Sequence, residues 1–461
     1  MIHLRPPRLS VVAAGIALLL IVPARALAEP GVPPEPKTPI KHFVVLMQAG
    51  HSFDNYFGTY PDADGIPPDT CVPIDPSATA KSSCIKPFAI ADRSIESMNH
   101  SAAIFQSQYN NGQMNGFISA LQRRNQDGIV AMGYYDDSNL PYYWNIADEY
   151  VLFDRFFSSA SGGDLWNRMF WVSASPGNDE SRVPAAGYGE LPTIFDSLEQ
   201  RGISWKFYVQ NYNPQMTYRS LQAGDKLSPQ VVRAPLLAFP RFVDDPKLSS
   251  HIVDLDQYFE DLRNGALPAV AYVASASANE HPPSEPEAGQ RFVRGMINAL
   301  MQSDAWNSSA FLITYDSWGG WYDHVPPPQV DRYGYGFRVP ALLISPYARR
   351  GQIDNTQLDF TSILKFIEQN YGLAPLATRD AQANSLIGAF DFALAPRRPR
   401  FISFDRGTTT LAEPRRDLIY LCYSGAIVLA GLLLAGVTVA AGAGRLRPAP
   451  PLPRTTQDGA P

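Results

Sequence analysis

Acidic groups and histidines follow two apolar runs of this chain, and these are the groups that could do chemistry. Residues 48–54 come directly after Phe43–Met47, and Asp316 comes directly after Ala310–Tyr315. Short apolar runs of this kind predict buried strands. The active crevice of an open α/β sheet lies at the carboxyl ends of its strands, so we expect both loops to face one crevice. There a carboxylate can hold a cation and a histidine can donate a proton to a leaving group.

The elements that must position these groups follow a regular alternation. From Thr38 to Phe392, short apolar runs alternate with longer helical patterns. This alternation predicts an α/β fold with a central, mostly parallel sheet between helical layers. Predicted strands are Phe43–Met47, Ala269–Val273, Ala310–Tyr315 and Ala341–Ile344, and predicted helices include Leu191–Arg201, Leu255–Gly265, Gly289–Gln302 and Phe360–Tyr371.

Several stretches resemble the bacterial phosphoesterase family that holds phospholipases C and an acid phosphatase branch. Residues 49–54 read A-G-H-S-F-D, where members carry E-N-R-S-F-D or E-N-H-S-F-D. Residues 315–320 read Y-D-S-W-G-G, where members carry Y-D-E-H-G-G. Further matching stretches lie at 99–117, 132–143, 279–283, 339–346 and 361–368. The resemblance covers roughly 38–392, and it implies an alkaline phosphatase-like fold with a metal and a nucleophile at one edge of the sheet.

The resemblance implies a divalent metal whose ligands are largely missing here. Ala49 and Gly50 stand where glutamate and asparagine are expected, and neither has a side-chain donor. Asp316 keeps its carboxylate, whereas Ser317 replaces the adjacent acid and Trp318 replaces a histidine. Asp316 is therefore the one retained metal-ligand position, and a lone carboxylate would hold a divalent ion weakly.

The nucleophile implied by the resemblance is also replaced. Members carry G-P-T-x-P-N-R with an attacking threonine or serine, and residues 162–168 read G-G-D-L-W-N-R. Asp164 therefore stands at the position of the hydroxyl. It could be a hydrogen-bonding carboxylate, a replacement ligand beside Asp316, or a nucleophile. The candidate catalytic residues, if the protein is active, are Asp164, His100, His281 and His324, with Asn167 and Trp318 as substrate-pocket residues.

Two hypotheses follow from these substitutions. The first is a membrane-anchored, catalytically degenerate phosphoesterase-like protein, a pseudoenzyme that binds a ligand or serves as a subunit beside a membrane-protein partner. The second is an active phosphatase or phospholipase C-like hydrolase with a rearranged site. We expect no cofactor under the first hypothesis and a divalent metal under the second.

The two ends of the chain predict export and membrane attachment. Arg5 and Arg8 precede an apolar run that ends near A-L-A at 26–28, which is typical of a signal peptide. Leu418–Ala441 has 24 residues without a charge, enough to cross a ~30 Å hydrocarbon core. We therefore expect a single-pass protein of the cell membrane with a periplasmic or extracellular ectodomain. The predicted order is signal peptide 1–28, linker 29–37, phosphoesterase-like ectodomain 38–392, juxtamembrane linker 393–417, transmembrane helix 418–441 and cytoplasmic tail 442–461.

Charge and cysteine content agree with this interpretation. The net charge is -6, and it becomes -9 without the predicted signal peptide, which carries three arginines and no acids. An acidic chain with no run of basic residues gives no electrostatic footprint for nucleic acid. Cys71 and Cys84 favour a disulfide in an oxidising compartment over two free thiols, and Cys422 lies in the predicted span.

Overall fold

A central sheet of eight strands organises the part of the chain that the computed structural model describes, which is residues 33–78, 83–91, 95–223 and 228–406. Four short strands form two further two-stranded sheets in the same ranges. The strands are β1 (His42–Gln48), β2 (Val72–Pro73), β3 (Cys84–Ile85), β4 (Phe88–Ala89), β5 (Gly133–Tyr134), β6 (Val151–Phe153), β7 (Trp205–Val209), β8 (Ile252–Asp254), β9 (Val270–Ala274), β10 (Ser309–Tyr315), β11 (Ala341–Ile344) and β12 (Gln352–Asp354).

The order of the large sheet is β12-β6-β11-β10-β1-β9-β7-β8. β1 runs parallel to both of its neighbours, β10 and β9, with Gln48 opposite Tyr315 at the carboxyl end. Only β11 runs against the others, because it is antiparallel to both β10 and β6. The carboxyl ends of β1, β9 and β10 therefore meet at one edge of the sheet, and the carboxyl end of β11 lies at the opposite edge.

Helices cover both faces of the sheet. On one face Trp171 stacks on Tyr272 at 4.3 Å between ring centroids, and Phe366 packs against Phe43 at 4.9 Å. On the other face Tyr258 packs against Tyr208. Helices α5 (Asp164–Ser173), α6 (Ile194–Gln200) and α12 (Phe360–Tyr371) lie on the first face, and α10 (Asp256–Arg263) and α11 (Pro286–Gln302) lie on the second. The helices are α1 (Phe53–Phe57), α2 (Ala102–Tyr109), α3 (Phe117–Gln122), α4 (Pro141–Glu149), α5 (Asp164–Ser173), α6 (Ile194–Gln200), α7 (Pro229–Arg233), α8 (Pro240–Asp244), α9 (Pro246–Ser249), α10 (Asp256–Arg263), α11 (Pro286–Gln302), α12 (Phe360–Tyr371) and α13 (Thr378–Gln382), with 3-10 turns at Asn110–Gly112, Gly128–Met132, Tyr218–Ala223, Pro235–Ala238, Asp304–Ser308 and Leu386–Ala389.

The α/β class and the mostly parallel sheet are confirmed. All four predicted strands are present, as β1, β9, β10 and β11, within one residue at each end. The predicted helix at Leu191–Arg201 starts later, at Ile194, because Thr193 caps it: its Oγ1 accepts a hydrogen bond from the Asp196 backbone N–H, and the Asp196 carboxylate accepts one from the Thr193 backbone N–H. Helix α11 starts earlier than predicted because Pro286 suits its first turn.

The chain segments at the two ends differ in how much of them is described. Residues 393–406 pack against the fold: Ile402 is buried, and the Phe404 ring stacks on Tyr142 with centroids 5.3 Å apart. The predicted signal peptide, the predicted span Leu418–Ala441 and the predicted tail lie outside the described residues. Within the described ranges, no helix has both the length and the apolar content to cross a bilayer. Cys71 and Cys84 are joined by a disulfide, with Cα atoms 5.4 Å apart, beside the β2–β3 pair.

Candidate functional site

Two loops build the floor of the candidate site where β1 and β10 end. Gly50 and Gly319 both have left-handed backbones, with φ of +71° and +65°. A Cβ atom on Gly319 would lie 2.0 Å from the Gly50 carbonyl oxygen. Only glycine allows so close an approach of the two backbones. The loops therefore touch directly and hold the neighbouring side chains in fixed relative positions.

Asp316 forms a buried ion pair with Arg168 of α5. Nε and Nη2 of Arg168 each lie 2.9 Å from Oδ2 of Asp316, and the Gly50 backbone N–H donates to Oδ1 at 3.1 Å. The remaining guanidinium donors point to the backbone carbonyl oxygens of Arg233 and Gln48. Burial and the nearby charge of Asp164 raise the pKa of Asp316, and Arg168 opposes this shift. Both carboxylate oxygens of Asp316 are thus already engaged by donors of the protein itself.

Asp164 lies beside Asp316, at the first position of α5. Its Oδ2 is 3.3 Å from Nε2 of His100, and its Oδ1 accepts a hydrogen bond from the Ser317 hydroxyl at 2.8 Å. Burial alone would raise the pKa of Asp164, but His100 and the Ser317 hydrogen bond outweigh it, so the pKa is lowered. Burial likewise lowers the pKa of His100, and Asp164 overcomes this and raises it to about 9. At neutral pH the pair is a carboxylate and an imidazolium.

His281 completes this group from the loop after β9. Its ring centroid lies 5.3 Å from that of His100, and a Cβ atom on Gly50 would be 3.1 Å from its Cδ2. Its Nδ1 is 2.7 Å from the Pro282 carbonyl oxygen. The structure therefore brings together three of the four predicted catalytic residues with the predicted ligand position. Arg233 also lies close enough for Arg168 to lower its pKa, although burial is the larger cause.

The fourth candidate, His324, lies in a separate buried cluster. Its Nδ1 is 2.8 Å from Oδ2 of Asp54, and Asp54, Asp323 and His324 place ligand-type atoms within 4.8 Å of one another. Arg338 occupies this cluster, with Nη2 2.9 Å from Asp54 and Nε 2.9 Å from Asp323. Burial raises the pKa of Asp323 to about 6, with Arg338 opposing it. Because the guanidinium already supplies the cation, we interpret this cluster as an ion-pair network that stabilises the loop.

The residues at the crevice do not fit the divalent ion that the resemblance implies. Ala49 and Gly50 have no side-chain donor, and the Ser317 hydroxyl donates to Asp164. Asp316 faces Arg168 at ion-pair distance, and the neighbouring carboxylate of Asp164 is engaged by His100 and Ser317. Ca²⁺ or Mg²⁺ needs several oxygen ligands at once, and an oxygen that is paired with a buried guanidinium is not available to the ion.

The two predicted pocket residues have structural partners. Trp318 is buried, and its Nε1 donates to Gln108 Oε1 at 2.7 Å while its ring packs against Phe105 at 5.5 Å between centroids. The Asn167 side chain is also buried and accepts a hydrogen bond from the Ala160 backbone N–H at 2.8 Å. Trp318 therefore forms a wall behind His100, whose ring centroid is 6.2 Å away.

Sequence reasoning missed a buried glutamate directly beneath the site. Glu280, next to His281, is fully buried and has a left-handed backbone with φ of +65°. Burial raises its pKa to about 7, which the surrounding hydrogen bonds oppose. Position 280 lies within the matched stretch 279–283, but its partners come from separate segments and give no common signal. Its carboxylate accepts hydrogen bonds from the hydroxyls of Tyr56, Tyr143 and Tyr315 and from the side-chain amide of Gln48.

Comparison with known proteins decides the family. The model of the phosphoesterase family matches residues 40–374, most of the chain. The chain belongs to the phosphoesterase family. Phospholipase C B of Mycobacterium tuberculosis is 28% identical over 422 residues, which cover 78% of this chain and 79% of that protein. Non-specific phospholipase C1 of Arabidopsis thaliana is 30% identical over 405 residues, covering 78% and 72%. This membership supports a phosphoesterase-type hydrolase ancestry for the fold.

Solved structures give only a weak likeness to this phosphoesterase-family chain. The lipoteichoic acid synthase LtaP from Listeria monocytogenes aligns with a TM-score of 0.38 at 8% identity, over 74% of this chain and 76% of that one. A protein in the alkaline phosphatase superfamily from Vibrio parahaemolyticus aligns with a TM-score of 0.36 at 11% identity, over 76% and 70%. Scores this low carry no argument about the site.

Proposed function

We propose that this protein is a catalytically degenerate member of the phosphoesterase family, with an alkaline phosphatase-like ectodomain that binds a ligand at the carboxyl edge of its sheet. It would be exported and held at the cell membrane by Leu418–Ala441, where it would act as a binding subunit. Metal-dependent hydrolysis would be absent.

The missing donors at Ala49, Gly50 and Ser317 carry this proposal, because they leave Asp316, already paired with Arg168, as the one carboxylate at the ligand positions that the resemblance implies. A divalent ion at Asp316 would have to displace a guanidinium that is itself buried, with side chains only 1% and 3% exposed. The displaced arginine would then be an uncompensated charge in the interior, which costs several kcal/mol. No neighbouring loop residue at 49 or 50 offers a donor that would offset this cost.

The two histidines of the crevice supply hydrogen-bond donors for an anionic ligand. The His100 imidazolium and the His281 ring face each other across 5.3 Å, next to Asp164. Charge-assisted hydrogen bonds from such groups bind phosphate and carboxylate oxygens. We therefore propose a small ligand bearing a phosphate or carboxylate, with His281 as a direct contact and with His100, whose Nε2 faces Asp164, as a contact that the ligand would share with Asp164.

Elemental analysis of the full-length protein, purified in detergent without chelator, tests the loss of the metal. Turnover of a phosphodiester and a phosphomonoester panel would be measured on the same sample. We expect no stoichiometric divalent ion and no turnover. A tightly bound ion together with hydrolysis would contradict the proposal. Binding of inorganic phosphate would be followed by NMR of the histidine ring protons, and we expect shifts at His100 and His281, with the shift at His100 lost in His281→Ala.

A variant that restores ligand groups provides a matched comparison. Ala49→Glu, Gly50→Asn and Ser317→Glu together would return the expected donors, and asparagine tolerates the left-handed backbone at position 50. The control replaces both glutamates by glutamine. We expect metal to appear in the restored protein and not in the control, because the two added carboxylates can bind an ion without taking Asp316 from Arg168, and carboxylates are the stronger ligands.

A hydrolase with a rearranged site is the second candidate, and the pairing of Asp164 with His100 favours it. An ionised carboxylate beside an imidazolium resembles a nucleophile beside a general acid. Asp164→Asn and Asp316→Ala variants that stay folded would abolish turnover on this alternative. Unchanged turnover in both variants would exclude these two carboxylates from the chemistry.

A further inference from the structure

A basic and apolar surface lies on the side of the ectodomain away from the candidate site. It is formed by the end of β11 and by the segment that runs from residue 387 to residue 401. We call it the arginine surface and define it by Arg349, Arg350, Arg397, Arg398, Arg400, Ile387, Leu394 and Phe401.

Hydrogen bonds give the arginine surface a fixed shape. The Arg397 guanidinium donates to the backbone carbonyl oxygens of Glu149 at 3.1 Å and Ala348 at 2.9 Å, and Nε of Arg349 donates to that of Gly388 at 3.1 Å. The carboxylate of Glu149 pairs with three arginines, at 350, 397 and 400. The segment is therefore a packed part of the fold, and its side chains are presented in a defined arrangement.

The charge of this surface contrasts with that of the whole chain. Residues 345–350 and 387–401 contain five arginines and one acid, Asp391, and Glu149 adds a second acid from beneath. The chain as a whole has a net charge of -6. Apolar side chains stand among the arginines, with Leu394 65% exposed, Ile387 46% and Phe401 39%. Arginines interspersed with exposed apolar residues are typical of surfaces that meet the headgroup region of a bilayer.

The topology places the arginine surface opposite the site. β11 runs against the other strands, and Ser345 at its end donates a hydrogen bond to the Ser309 carbonyl oxygen, at the start of β10, at 2.8 Å. Asp316 and Gly50 follow the other ends of β10 and β1. The arginine surface and the candidate site therefore lie at opposite edges of one sheet.

We propose that the arginine surface docks on an anionic lipid bilayer. Charge complementarity favours this occupant, and so does the continuation of the chain. Eleven residues separate Arg406 from the uncharged run Leu418–Ala441, and a chain of that length reaches at most about 40 Å. The inference rests on the proposed membrane attachment. It adds an orientation: the candidate site opens away from the bilayer and takes its ligand from the aqueous phase.

Hydrogen exchange on the full-length protein in nanodiscs tests the proposal. One chain per disc would be compared in discs of phosphatidylcholine alone and in discs that also contain phosphatidylglycerol. We expect amides of residues 387–401 to exchange about tenfold more slowly in the anionic discs. Loops at the carboxyl edge, such as residues 316–324, are expected to exchange equally in both.

A pair of single substitutions sharpens the comparison. Leu394→Glu places a negative charge on the arginine surface at a highly exposed position. Val330→Glu makes the same change at a 44% exposed residue in the loop between β10 and β11, on the other edge. We expect Leu394→Glu to abolish the extra protection in anionic discs, and Val330→Glu to leave it unchanged.

The outcomes separate the surface from the attachment. A chain that does not incorporate into discs would overturn both the attachment and the docking. Incorporation with equal exchange in the two kinds of disc would overturn the docking and leave the attachment standing. Protection that appears only with two chains per disc would assign the surface to a second copy of the chain and likewise overturn the proposal.

Discussion

Nε and Nη2 of Arg168 lie 2.9 Å from Oδ2 of Asp316 in the interior of this protein, although 148 positions separate the two residues in the chain. The arginine belongs to α5 and the aspartate follows β10. Their contact ties a helix on one face of the sheet to the edge where the candidate site lies. A buried pair of this kind is sensitive to the loss of either partner.

Arg168→Met is expected to lower the free energy of unfolding by about 3 to 5 kcal/mol, because Asp316 would remain as an unpaired buried charge. Urea denaturation at pH 7 measures this. Arg155→Met removes a partly exposed arginine, paired with Asp64 at 3.2 Å, and is expected to cost less than about 1 kcal/mol. Adding Asp316→Asn to Arg168→Met should recover part of the loss. Equal effects of the two methionine variants would contradict the assignment.

The pair of His100 and Asp164 predicts a loss of stability at alkaline pH. Folding raises the pKa of His100 from 6.5 to about 9, so the folded state binds the extra proton between these values. The resulting stabilisation is complete below about pH 6.5 and disappears as pH rises through about 9, by up to about 3 kcal/mol. Urea denaturation from pH 6 to pH 10 should show this decline, and His100→Asn should remove it. A flat profile for the unmodified protein would refute the prediction.

Glu280 predicts a second pH dependence, at lower pH. Burial raises its pKa from 4.5 to about 7 in the folded state. Stability is therefore expected to fall by about 3 kcal/mol as pH rises from 4.5 through 7, because ionising the buried carboxyl is costly. Glu280→Gln is nearly the same size and does not ionise, so its unfolding free energy should lack this decline. A decline of the same size in the variant would assign it to another group.

A substitution at Gly319 tests the contact between the loops that follow β1 and β10. Gly319→Ala would place a Cβ atom 2.0 Å from the Gly50 carbonyl oxygen on a left-handed backbone, and we expect a loss of more than about 2 kcal/mol or failure to fold. Gly295→Ala is the matched control: it lies within α11, and its Cβ would meet no atom within 4 Å. The control should be more stable than the parent by about 0.5 to 1 kcal/mol. The midpoint of thermal unfolding, measured for both variants and the parent protein, tests this prediction.

The apolar pattern of the sequence predicted the frame of the fold well. Runs such as Phe43–Met47 are fully buried in the sheet, and an alternation of short and long patterns defines the layers. The direction of β11 could not be predicted, because a run of four apolar residues carries no signal for the direction of the strand in the sheet. The shared edge of β1 and β10 followed from the rule for parallel strands, and the structure has that arrangement.

Apolar patterns could not predict contacts between charged residues that lie far apart in the chain. Position 168 lies in a motif of the family, but only the folded chain shows that Arg168 meets Asp316. The three tyrosines around Glu280 come from α1, α4 and β10, with no common spacing. The neighbourhood of His100, His281 and Asp164 could be predicted only through the family resemblance, whereas His324 belongs to the Arg338 cluster.

The buried Arg168–Asp316 pair also limits how the sequence can change. Glutamate at position 49 alone would add a charge at a site now only 5% exposed, with no ion to neutralise it. Removing Arg168 alone would leave Asp316 as an unpaired buried charge. Each of these single substitutions is therefore expected to lower the stability of the fold. The pair therefore couples positions 49, 168 and 316, so that a change at one of them is tolerated only together with a compensating change at another.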